Sequence, residues 1–181
     1  MNHPAVAKVA RGPKLLSLAR QALGPGATPY RATLFDKSPT SNWLVAWHQD
    51  TALPLKMRRE VPGWGPWSVK AGVLYANAPA VALQQVVALR IHLDDSHREN
   101  GPLRVLPGTH TLGVLAHRTL ESLAESIVPR ECTVAPGGVI SMRPLLVHAS
   151  SKSTSDEPRR VLHVEYTATL ALGSEIELDV A

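Results

Sequence analysis

Residues 45–50 read VAWHQD, Val45 to Asp50, and set a histidine and an aspartate two residues apart at the end of an apolar, aromatic run. On a β-strand the side chains at i and i+2 share a face, with α-carbons roughly 6.5–7 Å apart, so His48 and Asp50 can converge on one point. That point is either a metal ion or the solvent beyond a strand end. The rest of the chain decides between them.

Working outward, "YRATLFDK" (30–37) and "WLVAWHQD" (43–50) read as short strands. Before them, Leu15, Leu16, Ala19, Ala22 and Leu23 recur at helical spacing after Pro13 and stop at Gly24 and Pro25, which predicts one helix of about ten residues. After them, Leu53 to Gly72 is rich in Pro, Gly and Trp and reads as a long loop, with Val61, Trp64 and Trp67 making it a cover. Further strands follow in "QVVALRIHLDD", "PLRVL", "ECTVA", "GGVISM", "LLVHAS" and "RRVLHVEYTAT", with a small helix in "TLESLAESI". Ala171 to Ala181 reads as an extended tail or edge strand. The prediction is a mainly β fold, a double-sheet jelly roll or cupin-like barrel with a short N-terminal helix and one small inserted helix.

Composition narrows the class. A chain of 181 residues suits one domain over 1–181, with its core at about 30–169. The apolar fraction of 44% and charged fraction of 19% are those of a globular protein rather than a disordered or fibrous one. The net charge of +4 comes from scattered Lys and Arg without aromatic interleaving, so no nucleic-acid partner is expected. One cysteine, Cys132, excludes an intrachain disulfide and a cysteine-based zinc cluster. With no leader and no apolar run near 18 residues, the expectation is a cytoplasmic protein without a membrane partner.

The third metal ligand is sought at the end of another buried run, and His148 in "MRPLLVHASS" is the candidate. Two histidines and one carboxylate on one face of an octahedron leave three adjacent positions open, the arrangement of non-haem Fe(II) oxygenases. If "LLVHAS" and "RRVLHVEY" form a hairpin, Arg159 or Arg160 returns about 4.8 Å to the side of His148. A guanidinium there can grip a carboxylate bidentately. The period of two groups Arg159 with Val161 and His163, and Arg160 with Leu162, Val164 and Tyr166, and leaves the inward face open.

Three motifs in order, "WHQD", "LDDSHRENGPLRVLPGTH" and "GGVISMRPLLVHASSKSTSDEPRR", resemble the phytanoyl-CoA dioxygenase family over Tyr30 to about Thr169. These are Fe(II)- and 2-oxoglutarate-dependent oxygenases on a double-stranded β-helix. The resemblance implies that His48, Asp50 and His148 hold iron and form the catalytic centre. It implies that Arg159 binds the far carboxylate of 2-oxoglutarate, with Ser150 as its hydroxyl partner and Gln49 near the cosubstrate. The implied reaction consumes O₂ and 2-oxoglutarate, releases succinate and CO₂, and hydroxylates, desaturates or cyclises a small-molecule substrate, with ascorbate as an accessory reductant. Asp50 is a carboxylate rather than a small residue, which argues against the halogenating branch.

The same similarity turns Arg90 and His92 toward the cavity as substrate residues, and Trp64, Trp67 and Lys70 join them as further substrate candidates. Arg143 reads the same way as Lys70, or as a solvated strand residue. His3, His97 and His117 read as surface residues, His110 as structural and His163 as a satisfied core histidine. Family members usually carry more helix before the first core strand, so partner-chain packing in a homodimer could supply the missing cover. Two other classes suit the same pattern: a cupin-like metal isomerase or hydrolase, which has no need of Arg159, and a non-catalytic binding module.

Overall fold

The computed structural model describes residues 1, 3–173 and 175–180. Its elements in chain order are α1 (Pro4–Ala10), α2 (Pro13–Leu23), β1 (Thr28–Lys37), β2 (Val45–His48), β3 (Ala52–Pro54), β4 (Trp67–Lys70), β5 (Val73–Asn77), α3 (Ala80–Leu83), β6 (Val86–His92), β7 (Leu103–Val105), α4 (His117–Ser126), β8 (Arg130–Cys132), β9 (Val139–Met142), β10 (His148–Ser150) and β11 (Arg159–Thr167). The α-carbons group into two compact units. One comprises Met1–Ala32, Thr51–Leu89 and Val164–Ala181, the other Thr33–Asp50 and Arg90–His163.

In the first unit, proline opens both N-terminal helices at a position where its missing N–H costs nothing. Two helices therefore stand where the sequence predicts one. The predicted loop from Leu53 to Gly72 also needs correction. Its ends are strands, and β3 and β4 flank β5 in a three-stranded antiparallel sheet with Leu53 opposite Ala76 and Trp67 opposite the same residue. The β4–β5 hairpin turns on Ala71 and Gly72, both at positive φ (49° and 80°). That is the backbone of a two-residue turn usually announced by Asn-Gly, and alanine hides it. At the C-terminal end Ala171 bridges Glu177 and Leu178 bridges Leu55, so the expected tail pairs as short bridges, with Ser174 and Ala181 outside the described residues.

The second unit is built on the sheet β2–β10–β7–β8, antiparallel throughout. The inserted helix, α4, runs along it because Leu120, Leu123, Ala124 and Ile127 form one apolar stripe. That stripe packs on Leu106, Val147 and Trp47. Burying each large apolar side chain contributes about 1.5–3 kcal/mol. The remaining sheet has the order β1–β11–β6–β9, and β1, β6 and β11 each supply residues to both units. The mainly β class expected from the sequence is the one observed.

The expected hairpin between "LLVHAS" and "RRVLHVEY" does not form. His148 opens β10 rather than ending a strand, and β10 lies between β2 and β7, whereas β11 lies between β1 and β6 in the other sheet. The polar segment 151–158 makes the crossing and is pinned on the way. Ser153 N donates to Asn42 Oδ1 and Asn42 Nδ2 to Ser153 O (both 2.8 Å), and Thr154 N donates to Glu99 O (2.7 Å).

The short turn Arg98–Asn100 ends at Gly101, whose φ is 66°. A β-carbon there would lie 2.4 Å from Ser151 O, so both the dihedral and the close approach require glycine. Gly101→Ala is expected to lower unfolding stability by about 2 kcal/mol or more, read as a lower urea midpoint at unchanged slope.

Candidate metal centre

His48 is the last residue of β2, and its Cα partner across the antiparallel pair is His148 at the start of β10. The two rings therefore sit side by side, with centroids 4.1 Å apart. Each Nδ1 lies 2.8 Å from the carbonyl oxygen two residues earlier, Ala46 O for His48 and Leu146 O for His148. A carbonyl only accepts, so both Nδ1 atoms carry the hydrogen and both Nε2 atoms present a lone pair. Asp50 lies just past the strand, its N–H held by Pro144 O at 2.9 Å. Its Oδ1 is 3.5 Å from His48 Nε2 and its Oδ2 3.5 Å from His148 Nε2. All three ligand atoms lie within 4.8 Å of one another. Two neutral imidazoles and one carboxylate, oriented by backbone partners, form a donor set that suits a divalent first-row metal with open positions.

In the metal-free site the three groups titrate together, and Asp50 favours a proton on His48 that a metal would displace. Burial pushes the His48 pKa down, but the hydrogen bond and charge of Asp50 outweigh it and the net shift is upward. Burial pushes Asp50 up, yet the hydrogen bond from His48 and the charges of His148 and His163 hold it well below the usual carboxylate range. Burial keeps His148 below its ordinary value.

Gln49, between the two ligands, is occupied elsewhere. Its Nε2 donates to Gly113 O (2.9 Å) and Leu145 O (2.7 Å), and its Oε1 accepts from Leu115 N (2.9 Å). The amide ties two backbone segments, 113–115 and Leu145, to the residue between the histidine and the aspartate.

The inward face of β11 is settled by Asp94. Arg160 forks onto that carboxylate with bonds of 2.7 and 2.8 Å on the exposed side. Arg159 is buried; its Nε donates to Asn100 O (3.1 Å), and its Nη1 has no partner among the described residues. Ser150 is buried as well and accepts from Lys37 Nζ at 3.2 Å. Lys37 also donates to Ser151 O (2.6 Å) and lies 5.4 Å from the centre of the Trp43 ring. Burial, then the charge of Arg159, lower its pKa to about 8. Sequence reasoning missed this lysine, although Phe35 and Lys37 alternate with Leu34 and Asp36 at the end of β1 and so share a face.

Arg90 and His92 are buried on β6. Trp64, Trp67 and Lys70 belong to the other unit; there Arg58 lies over the Trp67 ring (5.7 Å), and Lys70 is exposed over Tyr75 (5.9 Å). His3, His110 and His117 are exposed. His97 lies between Glu99 and Glu157, and His163 is buried against Arg90.

Comparison with known proteins bears on this geometry. The family model for phytanoyl-CoA dioxygenase (PhyH) matches residues 1–161. L-proline trans-4-hydroxylase of Streptomyces griseoviridis is 27% identical over 186 residues, covering 88% of this chain and 62% of that protein. The crystal structure of EvdMO1 superposes with a TM-score of 0.65 at 26% identity over 88% of this chain and 32% of its own. EctD from S. alaskensis, solved with 2-oxoglutarate and 5-hydroxyectoine, gives a TM-score of 0.67 at 21% identity over 92% of this chain and 53% of its own. The chain thus spans about three-fifths of the length of the curated relative it matches.

Buried His92 yields a pH signature of its own. Burial, then the charges of Arg90 and Arg159, lower its pKa to about 4 from 6.5. Between those values the unfolded chain binds the proton and the folded one does not. The stability due to a neutral His92 is therefore complete above about pH 6.5 and falls as the pH drops toward about 4, by about 3 kcal/mol at most. Urea unfolding from pH 7 to 4 should show a shallower loss for His92→Leu than for the wild type; parallel curves would contradict the assignment.

Proposed function

This chain belongs to the phytanoyl-CoA dioxygenase family, and on that premise we propose that it is an Fe(II)- and 2-oxoglutarate-dependent dioxygenase that hydroxylates a small organic substrate. The observation that carries the reading is the pair of Nε2 lone pairs and the Asp50 carboxylate directed at one point. His48, Asp50 and His148 hold the iron and are the catalytic ligands. Arg159, with an unspent Nη1 in a buried position, takes the far carboxylate of 2-oxoglutarate, and Ser150 offers its hydroxyl beside it. Lys37 orients that hydroxyl. Iron and 2-oxoglutarate, when bound with O₂, supply an oxidant that removes hydrogen from an unactivated C–H bond, with succinate and CO₂ as by-products.

The chain's own residues do the rest. Ala46 O and Leu146 O hold a hydrogen on each Nδ1, so it is each Nε2 that is left for the metal. Gln49 keeps the loop behind the ligands in register. A metal isomerase or hydrolase on the same fold would leave a buried Arg159 unexplained. The relative named as a proline hydroxylase makes cyclic amino acids the first substrates to screen. We extend the reading to a cytoplasmic enzyme whose 181 residues act as one catalytic domain without nucleic-acid or membrane partners, supported by the lone cysteine and the scattered basic residues. Among the described residues no helix is long and apolar enough to cross a membrane.

The test is an anaerobic titration of the Fe(II)-loaded protein with 2-oxoglutarate, following the visible charge-transfer band of a keto acid chelated to iron. Wild type should develop the band. Arg159→Ala should need roughly 10- to 100-fold more 2-oxoglutarate, the loss expected for a charged, bidentate hydrogen-bonded pair. No band at saturating iron and 2-oxoglutarate would reject the reading.

A further inference from the structure

β6 carries Arg90 and His92 on one face, and neither is used by the metal ligands or by Arg159. They are 7% and 1% exposed. Arg90 has spent little of its hydrogen-bonding capacity. Its Nη1 donates to His163 Nδ1 at 3.1 Å, its guanidinium carbon lies 5.2 Å from the centre of the Phe35 ring, and its Nε is buried without a partner among the described residues. An imidazole nitrogen that accepts and an aromatic face solvate a cation but do not neutralise it. Both ring nitrogens of His92 are likewise buried, and neither has a partner among the described residues.

Charge balance makes Arg90 the exception in this interior. The carboxylate that acts on it is Asp50, while Arg159 repels it. In the oxygenase reading, on which this inference rests, Asp50 and the near carboxylate of 2-oxoglutarate neutralise Fe(II), and the far carboxylate neutralises Arg159. Lys37 is also cationic, but two oxygens and the Trp43 ring hold its ammonium. Arg90 keeps a full charge and an unsatisfied Nε in a medium of low dielectric, where an unpaired ion is strongly disfavoured. The Nε–Nη edge of a guanidinium offers two parallel donors at the spacing of carboxylate oxygens.

We propose that Arg90 is a substrate-recognition residue that binds a carboxylate on the substrate, with His92 beside it for a neighbouring polar group, so that the substrates of this site are small carboxylic acids. Burial and the charge of Arg90 keep His92 neutral, with one donor and one acceptor nitrogen for a hydroxyl or amine next to that carboxylate.

The test uses metal-free protein and minimal probes: propionate, propionamide and inorganic phosphate at matched ionic strength, read by thermal unfolding. In the Arg159→Met background, which removes the cosubstrate arginine, millimolar propionate should raise the melting temperature by about 2 °C or more and propionamide should not. Adding Arg90→Met should abolish the difference. Without any ligand, the single Arg90→Met variant should melt above wild type, because an unneutralised buried charge has been removed. If Arg90→Met does not fold, Arg90→Lys, which keeps the charge without the fork, should reduce the propionate response by about threefold or more. Equal responses to acid and amide, or a propionate response that survives loss of Arg90, would overturn the proposal. A phosphate response larger than that of propionate would overturn the carboxylate class. In the Fe(II)-loaded protein, Arg90→Met should leave the 2-oxoglutarate titration within about threefold of wild type; a loss as large as that of Arg159→Ala would assign Arg90 to the cosubstrate instead. Failure of the oxygenase reading is seen separately, as a missing band in wild type.

Discussion

The antiparallel pairing of β2 with β10, which sets His48 opposite His148, is the constraint from which the centre follows. Cross-strand partners have β-carbons about 4.5–5.5 Å apart, close enough for two imidazoles to share one ligand but too close for both to point there unless each ring is turned the same way. The carbonyls of Ala46 and Leu146 do that turning, one on each strand, by the same two-residue relation. Asp50 can then complete the set from beyond the strand end, where Pro144 O holds its backbone. The ligands are oriented by main chain rather than by other side chains, so the geometry is as rigid as the sheet that carries it.

Around this rigid centre the interior of the unit is cationic. Lys37, Arg90 and Arg159 are all nearly inaccessible to solvent, whereas the carboxylate that acts on Arg90, Asp50, is committed to the triad. An interior of this charge is stable only because part of each cation is solvated by the protein, Lys37 by serine oxygens and Arg159 by Asn100 O. The unspent donors on Arg90 and Arg159 are what binding of dianionic and anionic ligands would satisfy. Stability and ligand capacity are set against each other in the same side chains.

Much of the site was legible in the sequence because its determinants are local. The i, i+2 spacing of His48 and Asp50 is a property of any strand, and the alternation along "ALRIH" places Arg90 and His92 together whichever face is inward. What was not legible depends on pairing across the chain. The period of two groups Arg159 and Arg160 into opposite sets without ranking them, and only the fork of Arg160 onto Asp94, 66 residues away, decides it. The hairpin expected after His148 failed for a similar reason: adjacency in sequence suggested adjacency in a sheet, but 151–158 leads from one sheet to the other. Lys37 was overlooked because a lysine at a strand end usually faces water, and Ala71 concealed a turn that asparagine would have announced.

That crossing segment has a consequence for how the protein can vary. Ser150 and Arg159 stand at its two ends, and its middle is fastened to Asn42 and to the Glu99 carbonyl. The hydroxyl and the guanidinium are therefore separated by a span of fixed length whose anchor points do not slide. A loop on the surface ordinarily absorbs inserted or deleted residues with little effect, but here a change of even one residue would have to be taken up by one end or the other. The segment acts as a measuring strap that sets the distance along the chain between the two groups.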